Sequence, residues 1–169
     1  SLSNIPDNSI PKACRSWKET LATYRFLNDD NVTSQTIMLV HKASTLDRIR
    51  QENIILIPQD TTEIDFSNRK TIDVMGYLDK EKSQGLYLYP SIAITPSGLC
   101  LGVVDLQHWV RKKLGLREER KQKLIEEKES YCWLKGYRIA NELAFSCPNT
   151  LGVNISDREG DIYEVLEHI

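Results

Sequence analysis

Four consecutive aliphatic residues, Ile54-Ile55-Leu56-Ile57, constrain this chain more than any other stretch of it. A run this short with no polar alternation reads as a strand buried on both faces. Pro58 follows at once and cannot donate to a ladder, so the strand is expected to bend or lose a neighbour there. A strand of this kind needs companions, and the sequence offers them. Leu86 to Thr95 alternates, with Tyr87 and Tyr89 on one face and Leu86 and Leu88 on the other. Thr95-Pro96-Ser97-Gly98 is a turn, and Leu99 to Leu106 returns as the second arm of an antiparallel hairpin. Leu151, Val153 and Ile155 alternate as a last strand.

Helical spacing surrounds these strands. Residues 1–10 are polar and read as an arm. Pro11 suits the first turn of a helix that carries Trp17, Leu21 and Tyr24 as one apolar stripe and ends at Asn28-Asp29-Asp30-Asn31. Thr33 or Ser34 caps a second helix, with Leu39, Ala43, Leu46 and Ile49 at helical spacing. Residues 11–52 therefore read as a helical pair. Residues 67–84 read as a long connection, and 111–130 as a highly charged stretch. Trp133, Tyr137, Ala140 and Ala144 mark a later helix stopped by Pro148-Asn149, and a further helix starts beyond Gly160. The order is helices, three strands, helix, strand, helix. After the helical front piece, this is the order of a ribonuclease-H-like α/β fold with a mixed sheet. The expected division is a helical segment over 1–52 and an incomplete core over 53–169.

The 169 residues are 40% hydrophobic and 27% charged, enough apolar material for one core. No run approaches the ~20 apolar residues of a membrane span. The polar start Ser1-Leu2-Ser3-Asn4 has no signal-peptide character, so a cytoplasmic protein with no membrane partner is expected. The net charge of −2 does not by itself suggest nucleic acid, although local basic patches remain open. Cys14, Cys100, Cys132 and Cys147 have neither zinc-site nor disulfide spacing and are expected to be reduced and buried. His41, His108 and His168 are scattered, and His108 reads as structural.

Two strand patterns end in acids, Asp60 after the first and Asp157 after the last. In the expected fold those strands lie side by side, so the acids can meet. Magnesium takes hard oxygen ligands, and two ions about 4 Å apart can activate the attacking oxygen and stabilise the leaving one in phosphoryl transfer. Each acid also suits a plainer role, Asp60 as a turn former and Asp157 as a helix cap. The basic run Arg111-Lys112-Lys113, with Arg117, Arg120, Lys121 and Lys123, suits phosphate contact. Interruption by Glu118 and Glu119 suits a solvated face equally well. Arg25 and Arg158 are further candidate DNA contacts. Trp109 and Trp133 read as core, with base stacking as the alternative.

The segments Gln59-Asp60-Thr61-Thr62-Glu63-Ile64-Asp65-Phe66 and Asp157-Arg158-Glu159-Gly160-Asp161-Ile162 resemble the first and second acidic motifs of the IS4-type, Tn5-like DDE transposases. Tyr24-Arg25-Phe26-Leu27-Asn28 resembles a front-domain motif of that group, and Glu127-Lys128-Glu129-Ser130 with Trp133 a stretch before its second acid. The resemblance implies a ribonuclease-H-like core behind a helical end-binding domain. It also implies cleavage and joining of DNA with Mg²⁺, or Mn²⁺ as substitute, and a homodimer on DNA in the full-length protein. Asp60 and Asp157 would be metal ligands. The family's third acid, a Glu in a Tyr-x-x-Arg-x-x-x-Glu motif, has no counterpart after Asp157, where Glu159, Asp161, Glu164 and Glu167 are the local acids. The expectation is thus the front part of a transposase that does not by itself cut DNA at a useful rate. Two alternatives stand beside it: a truncated, non-catalytic inhibitor that occupies DNA or a partner, and another ribonuclease-H-like nuclease with a different third acid.

Overall fold

The computed structural model describes residues 8–68, 74–80, 83–111 and 124–167. The chain forms two compact units, Ser1–Val40 and His41–Ile169.

In the first unit, helix α1 (Ile10–Ala13) is a single turn and α2 spans Trp17–Leu27. The continuous helix expected from Pro11 is therefore broken. The break is written in Ser16-Trp17-Lys18-Glu19, a helix start signal. The Ser16 hydroxyl accepts the Glu19 N–H at 3.2 Å, and the Glu19 carboxylate accepts the Arg15 N–H at 2.8 Å. A second correction concerns the apolar stripe of α2. Trp17 is 74% exposed and Tyr24 45%, while the buried residue of the helix is Thr20. Thr33 caps α3 (Ser34–Ile49) by accepting the Thr36 N–H at 3.1 Å.

In the second unit, the far half of α3 precedes a six-stranded sheet. Its strands are β1 (Ile54–Pro58), β2 (Thr62–Asp65), β3 (Gly76–Tyr77), β4 (Gln84–Ile94), β5 (Cys100–Trp109) and β6 (Leu151–Ile155). Helix α4 (Tyr131–Ser146) lies between β5 and β6, and the short α5 (Tyr163–Leu166) follows. One path through the sheet runs β2-β4-β1-β6, with β3 and β5 also paired to β4. All pairs are antiparallel except β1 with β6, which is parallel from Ile54↔Leu151 to Pro58↔Ile155. This mixed α/β sheet is consistent with part of a ribonuclease-H-like fold. β2 and β3 lie in stretches read as motif and connection. Both are short, and each is held by pairing with β4 rather than by an apolar pattern of its own.

Burial alternates along β1 instead of covering both faces. Ile55 and Ile57 are 1% and 0% exposed, but Ile54 is 42% exposed. Ile55, Ile57 and Ala93 share a cluster with Ile49 of α3 and with Ala140 and Leu143 of α4. The helices thus cover one face. A second cluster joins Tyr89 to Cys132, Trp133, Leu134 and Val165. Cys132 and Cys147 are buried as expected; Cys14 is half-buried and Cys100 exposed, because it opens β5 beside the turn. His108 is exposed on β5. Among the described residues no helix is long and apolar enough to cross a membrane.

The hairpin of β4 and β5 contains two irregularities, between Ser91 and Ile92 and between Ala93 and Ile94. Each leaves one β5 residue, Val104 or Leu101, without an opposite number. That shift lets both side chains, three apart in sequence, enter the same core cluster. Groups on α3 meet the backbone exposed by the irregularity. Arg48 Nε donates to the Leu101 carbonyl at 2.5 Å, and the Val103 N–H donates to His41 Nε2 at 3.0 Å. Gly102 makes this approach possible. Its φ is +140°, and a Cβ there would lie 2.3 Å from the Thr45 hydroxyl oxygen. Gly102→Ala is expected to destabilise the protein by about 3 kcal/mol, combining an unfavourable backbone region with a forced displacement. Urea unfolding measures this, and a change within about 0.5 kcal/mol, the usual range for inconsequential surface changes, would contradict it.

Candidate functional site

The parallel pairing of β1 and β6 brings the two candidate acids to one end of the sheet. Pro58 lies opposite Ile155, and the ladder is extended by the Gln59 N–H donating to the Ile155 carbonyl at 3.0 Å. Asp60 and Asp157 each follow two residues after that last pair. Neighbouring strands are about 4.8 Å apart, so the two carboxylates leave the sheet from adjacent chain ends. Both acids act electrostatically on one group, the buried Tyr89 hydroxyl. Burial pushes that hydroxyl far above its ordinary range, and Cys132, Asp60, Asp157 and Asp105 add to the effect.

Both carboxylates are exposed, and both also fill their plainer roles. Asp60 Oδ1 accepts the Thr61 N–H at 2.7 Å. Asp157 Oδ1 accepts the Glu159 N–H at 2.8 Å and caps the 3-10 turn Arg158–Gly160. One oxygen of each is oriented by backbone while Oδ2 makes no hydrogen bond among the described residues. Two hard oxygen donors at neighbouring strand ends suit a divalent cation that takes one or two protein carboxylates and completes its shell with phosphate and water. Among the described residues no group of three His, Cys, Asp or Glu side chains is arranged to hold a metal.

Behind the acids lies a residue whose part the sequence reading did not see. Gln59 continues the phase of Ile55 and Ile57, so its polar side chain falls on the buried face, and it is 4% exposed. Its Nε2 donates to the Gly136 carbonyl at 3.1 Å and to Asn154 Oδ1 at 2.7 Å. Its Oε1 accepts the Tyr89 O–H at 2.9 Å. The available signal was the two-residue period itself, which predicts a buried amide at position 59 and hence a set of partners for it.

A cleft of about 390 Å³ opens beside the acids, with Thr61 and Glu159 on its wall together with Tyr87, Trp109, Arg111 and Glu129. The structure turns Arg111 inward. Its guanidinium pairs with Asp79 and Glu129, each at 2.5 Å, and lies 4.6 Å from the centre of the Tyr87 ring. Hydrogen bonding to Glu129 above all raises its basicity against the opposing effect of burial. Only 13% of its side chain is exposed, and internal partners occupy its guanidinium. Tyr87 stacks on Trp109 with ring centres 5.6 Å apart. The Tyr87 hydroxyl and Trp109 Nε1 are buried without a hydrogen-bond partner among the described residues; Glu63 reaches Tyr87 electrostatically, short of a bond of ordinary geometry. Trp133 is buried and meets Tyr89 edge-on at 5.0 Å, while Trp109 is half-buried. Burial pushes the Cys132 thiol up to about 11, which leaves it an inert core thiol at neutral pH.

The remaining candidate cations divide. Arg25 on α2 and Arg158 beside Asp157 are exposed. Lys112 and Lys113, with Arg117, Arg120, Lys121 and Lys123, lie outside the described residues.

No curated protein matches the chain. A family model described as transposase DNA-binding matches residues 1–32, which contain α1 and α2. That likeness supports a transposase-related DNA-binding role for the front of this chain.

Proposed function

We propose that this chain is the front part of a DNA transposase of the IS4-type, Tn5-like DDE group, with a DNA-contacting helical segment ahead of a partial nuclease core. The observation that carries the reading is the parallel β1–β6 pair, which gives Asp60 and Asp157 adjacent exits from the sheet. The match of residues 1–32 to transposase DNA-binding sequences independently supports the transposase part of this reading, without distinguishing the group. The partner is DNA, both transposon ends and target, and the full-length protein would act on it as a homodimer.

In this reading Asp60 and Asp157 hold a divalent cation, Mg²⁺ or Mn²⁺, through the carboxylate oxygens their local backbone bonds leave open. When bound, the cation supplies Lewis-acid stabilisation to the oxygens of a scissile phosphate. The protein's own contribution is positional. Thr61 and Glu159 N–H groups orient the two carboxylates, and the strand pairing gives them adjacent exits from the sheet. Two adjacent carboxylates repel, which favours a counter-ion between them. The family resemblance implies a third acid in a Tyr-x-x-Arg-x-x-x-Glu motif, which this sequence does not contain after Asp157, so weak metal binding and little or no cleavage by this chain alone are the expected behaviour.

Calorimetry with Mn²⁺ tests the site. Weak binding to the wild type should fall at least about tenfold, 1.4 kcal/mol, in Asp60→Ala. Tight binding that survives the substitution would count against the assignment. DNA binding tests the front. It should be weak and tolerant of sequence, and should fall by about one to two orders of magnitude between roughly 50 and 200 mM salt, because phosphate contacts release counter-ions. A sequence-specific complex that persists at physiological salt would contradict this. Nicking of supercoiled plasmid by the wild type that is lost in Asp60→Ala would show that a third acid lies within these residues, against the expectation of an incomplete site.

A further inference from the structure

We propose that Gln59 is a positioning residue: its side-chain amide clamps the Asp60 end of β1 to the Asp157 end of β6 and so sets the spacing of the two carboxylates. The inference rests on the reading of Asp60 and Asp157 as one cation site, and it adds a residue that acts through them.

Three observations support it. The first is the geometry of the amide. The Gly136 carbonyl can only accept, which fixes Nε2 toward it and Oε1 toward the Tyr89 hydroxyl. Nε2 then has one proton left, and it goes to Asn154 Oδ1 on β6 at 2.7 Å. Together with the main-chain bond from the Gln59 N–H to the Ile155 carbonyl, this gives residue 59 two links to β6 immediately before Asp157. Residue 59 also bridges to Ser91 on β4. Every polar atom of a side chain 4% exposed is thereby engaged, on three separate elements.

The second is Gly136. A glycine inside a helix costs about 1 kcal/mol relative to alanine. Here a Cβ would lie 2.0 Å from Gln59 Oε1 and 3.0 Å from a Tyr89 ring carbon. The helix gives up a side chain at the one place where the amide must fit.

The third is the position of β6. Among the described residues it pairs with β1 and with no other strand, and all five of its residues are exposed. Leu151 is 61% exposed, Val153 38% and Ile155 41%, so packing among the described residues does little to fix the strand end that carries Asp157. Directed hydrogen bonds have to do what burial does elsewhere. A single alignment error at a strand end shifts the carboxylate by more than a metal site tolerates, whose ligand distances vary by about 0.2 Å.

Paramagnetic broadening by Mn²⁺ alone, read on backbone amide signals of the whole chain, tests the proposal without requiring activity. In the wild type the Asp60 and Asp157 amides should broaden together at one Mn²⁺ concentration. Gln59→Leu removes all three amide bonds, and Asn154→Val removes only the β6 link, at an exposed position, leaving one Gln59 amide proton unpaired. In both, joint broadening should require about tenfold more Mn²⁺, as loss of a ligand-orienting partner does elsewhere. Tyr89→Phe also removes one buried hydrogen bond but keeps the β6 link, and it should broaden like the wild type. Thermal melts of the same samples report stability. If the Mn²⁺ requirement follows the loss of stability across the three variants, or if Asn154→Val is unchanged, Gln59 is only a structural residue and the proposal fails. If Asp60→Ala leaves the broadening of Asp157 unchanged, the shared cation site itself is wrong, and the proposal falls with it. Wild-type behaviour in Asn154→Val with loss in Asp60→Ala separates the two failures.

Discussion

The parallel ladder between β1 and β6 is the interaction on which the rest of the candidate site depends. It joins residues nearly a hundred positions apart, and among the described strand pairs it is the one that runs parallel. A parallel pair needs a crossover, which the hairpin of β4 and β5 and the helix α4 supply between them. Its consequence is directional. Antiparallel neighbours would put the ends of β1 and β6 on opposite sides of the sheet, whereas parallel ones deliver Asp60 and Asp157 to the same side. Carboxylate chemistry on a phosphate needs that arrangement before it needs anything else.

Much of this was legible in the residues. Alternation in Leu86 to Thr95 and the Pro-Ser-Gly turn after it specify the hairpin, which the structure forms as β4 and β5. Pro58 ends β1, and pairing with β4 around it is reduced to Leu56↔Ile94 and a bridge at Gln59↔Ser91. Other features were hidden for identifiable reasons. β2 and β3 borrow their conformation from β4 and carry no apolar period of their own. The stripe of α2 suggested burial, yet spacing tells only which residues share a face, not whether anything covers it. The same limit explains β1: four aliphatic residues in a row suit burial on both faces, and Ile54 is nonetheless 42% exposed. At Gly102, a register shift lets Leu101 and Val104 enter one cluster although simple alternation assigns them to opposite faces.

The polar groups near the sheet end divide by what they can reach. Arg111 looked like a phosphate contact because it opens a basic run, but Asp79, Glu129 and the Tyr87 ring engage it fully. Gln59 looked like an unremarkable neighbour of an acid, yet its side-chain amide is bonded to three separate elements beside the site. Sequence reading ranks residues by charge; the folded chain ranks them by what their partners require of them. Among the described residues, part of the cleft wall next to Asp60 and Asp157 is therefore held by internal pairs.

The central claim is that Asp60 and Asp157 share one cation. A crystal of the protein soaked in Mn²⁺, with anomalous scattering recorded at the manganese edge, tests it most directly. The account predicts a manganese peak between the two carboxylates, within about 2.3 Å of an oxygen of each, the range of oxygen ligands to small divalent ions. Manganese bound elsewhere, or Asp60 and Asp157 pointing apart with the ion on neither, would contradict it.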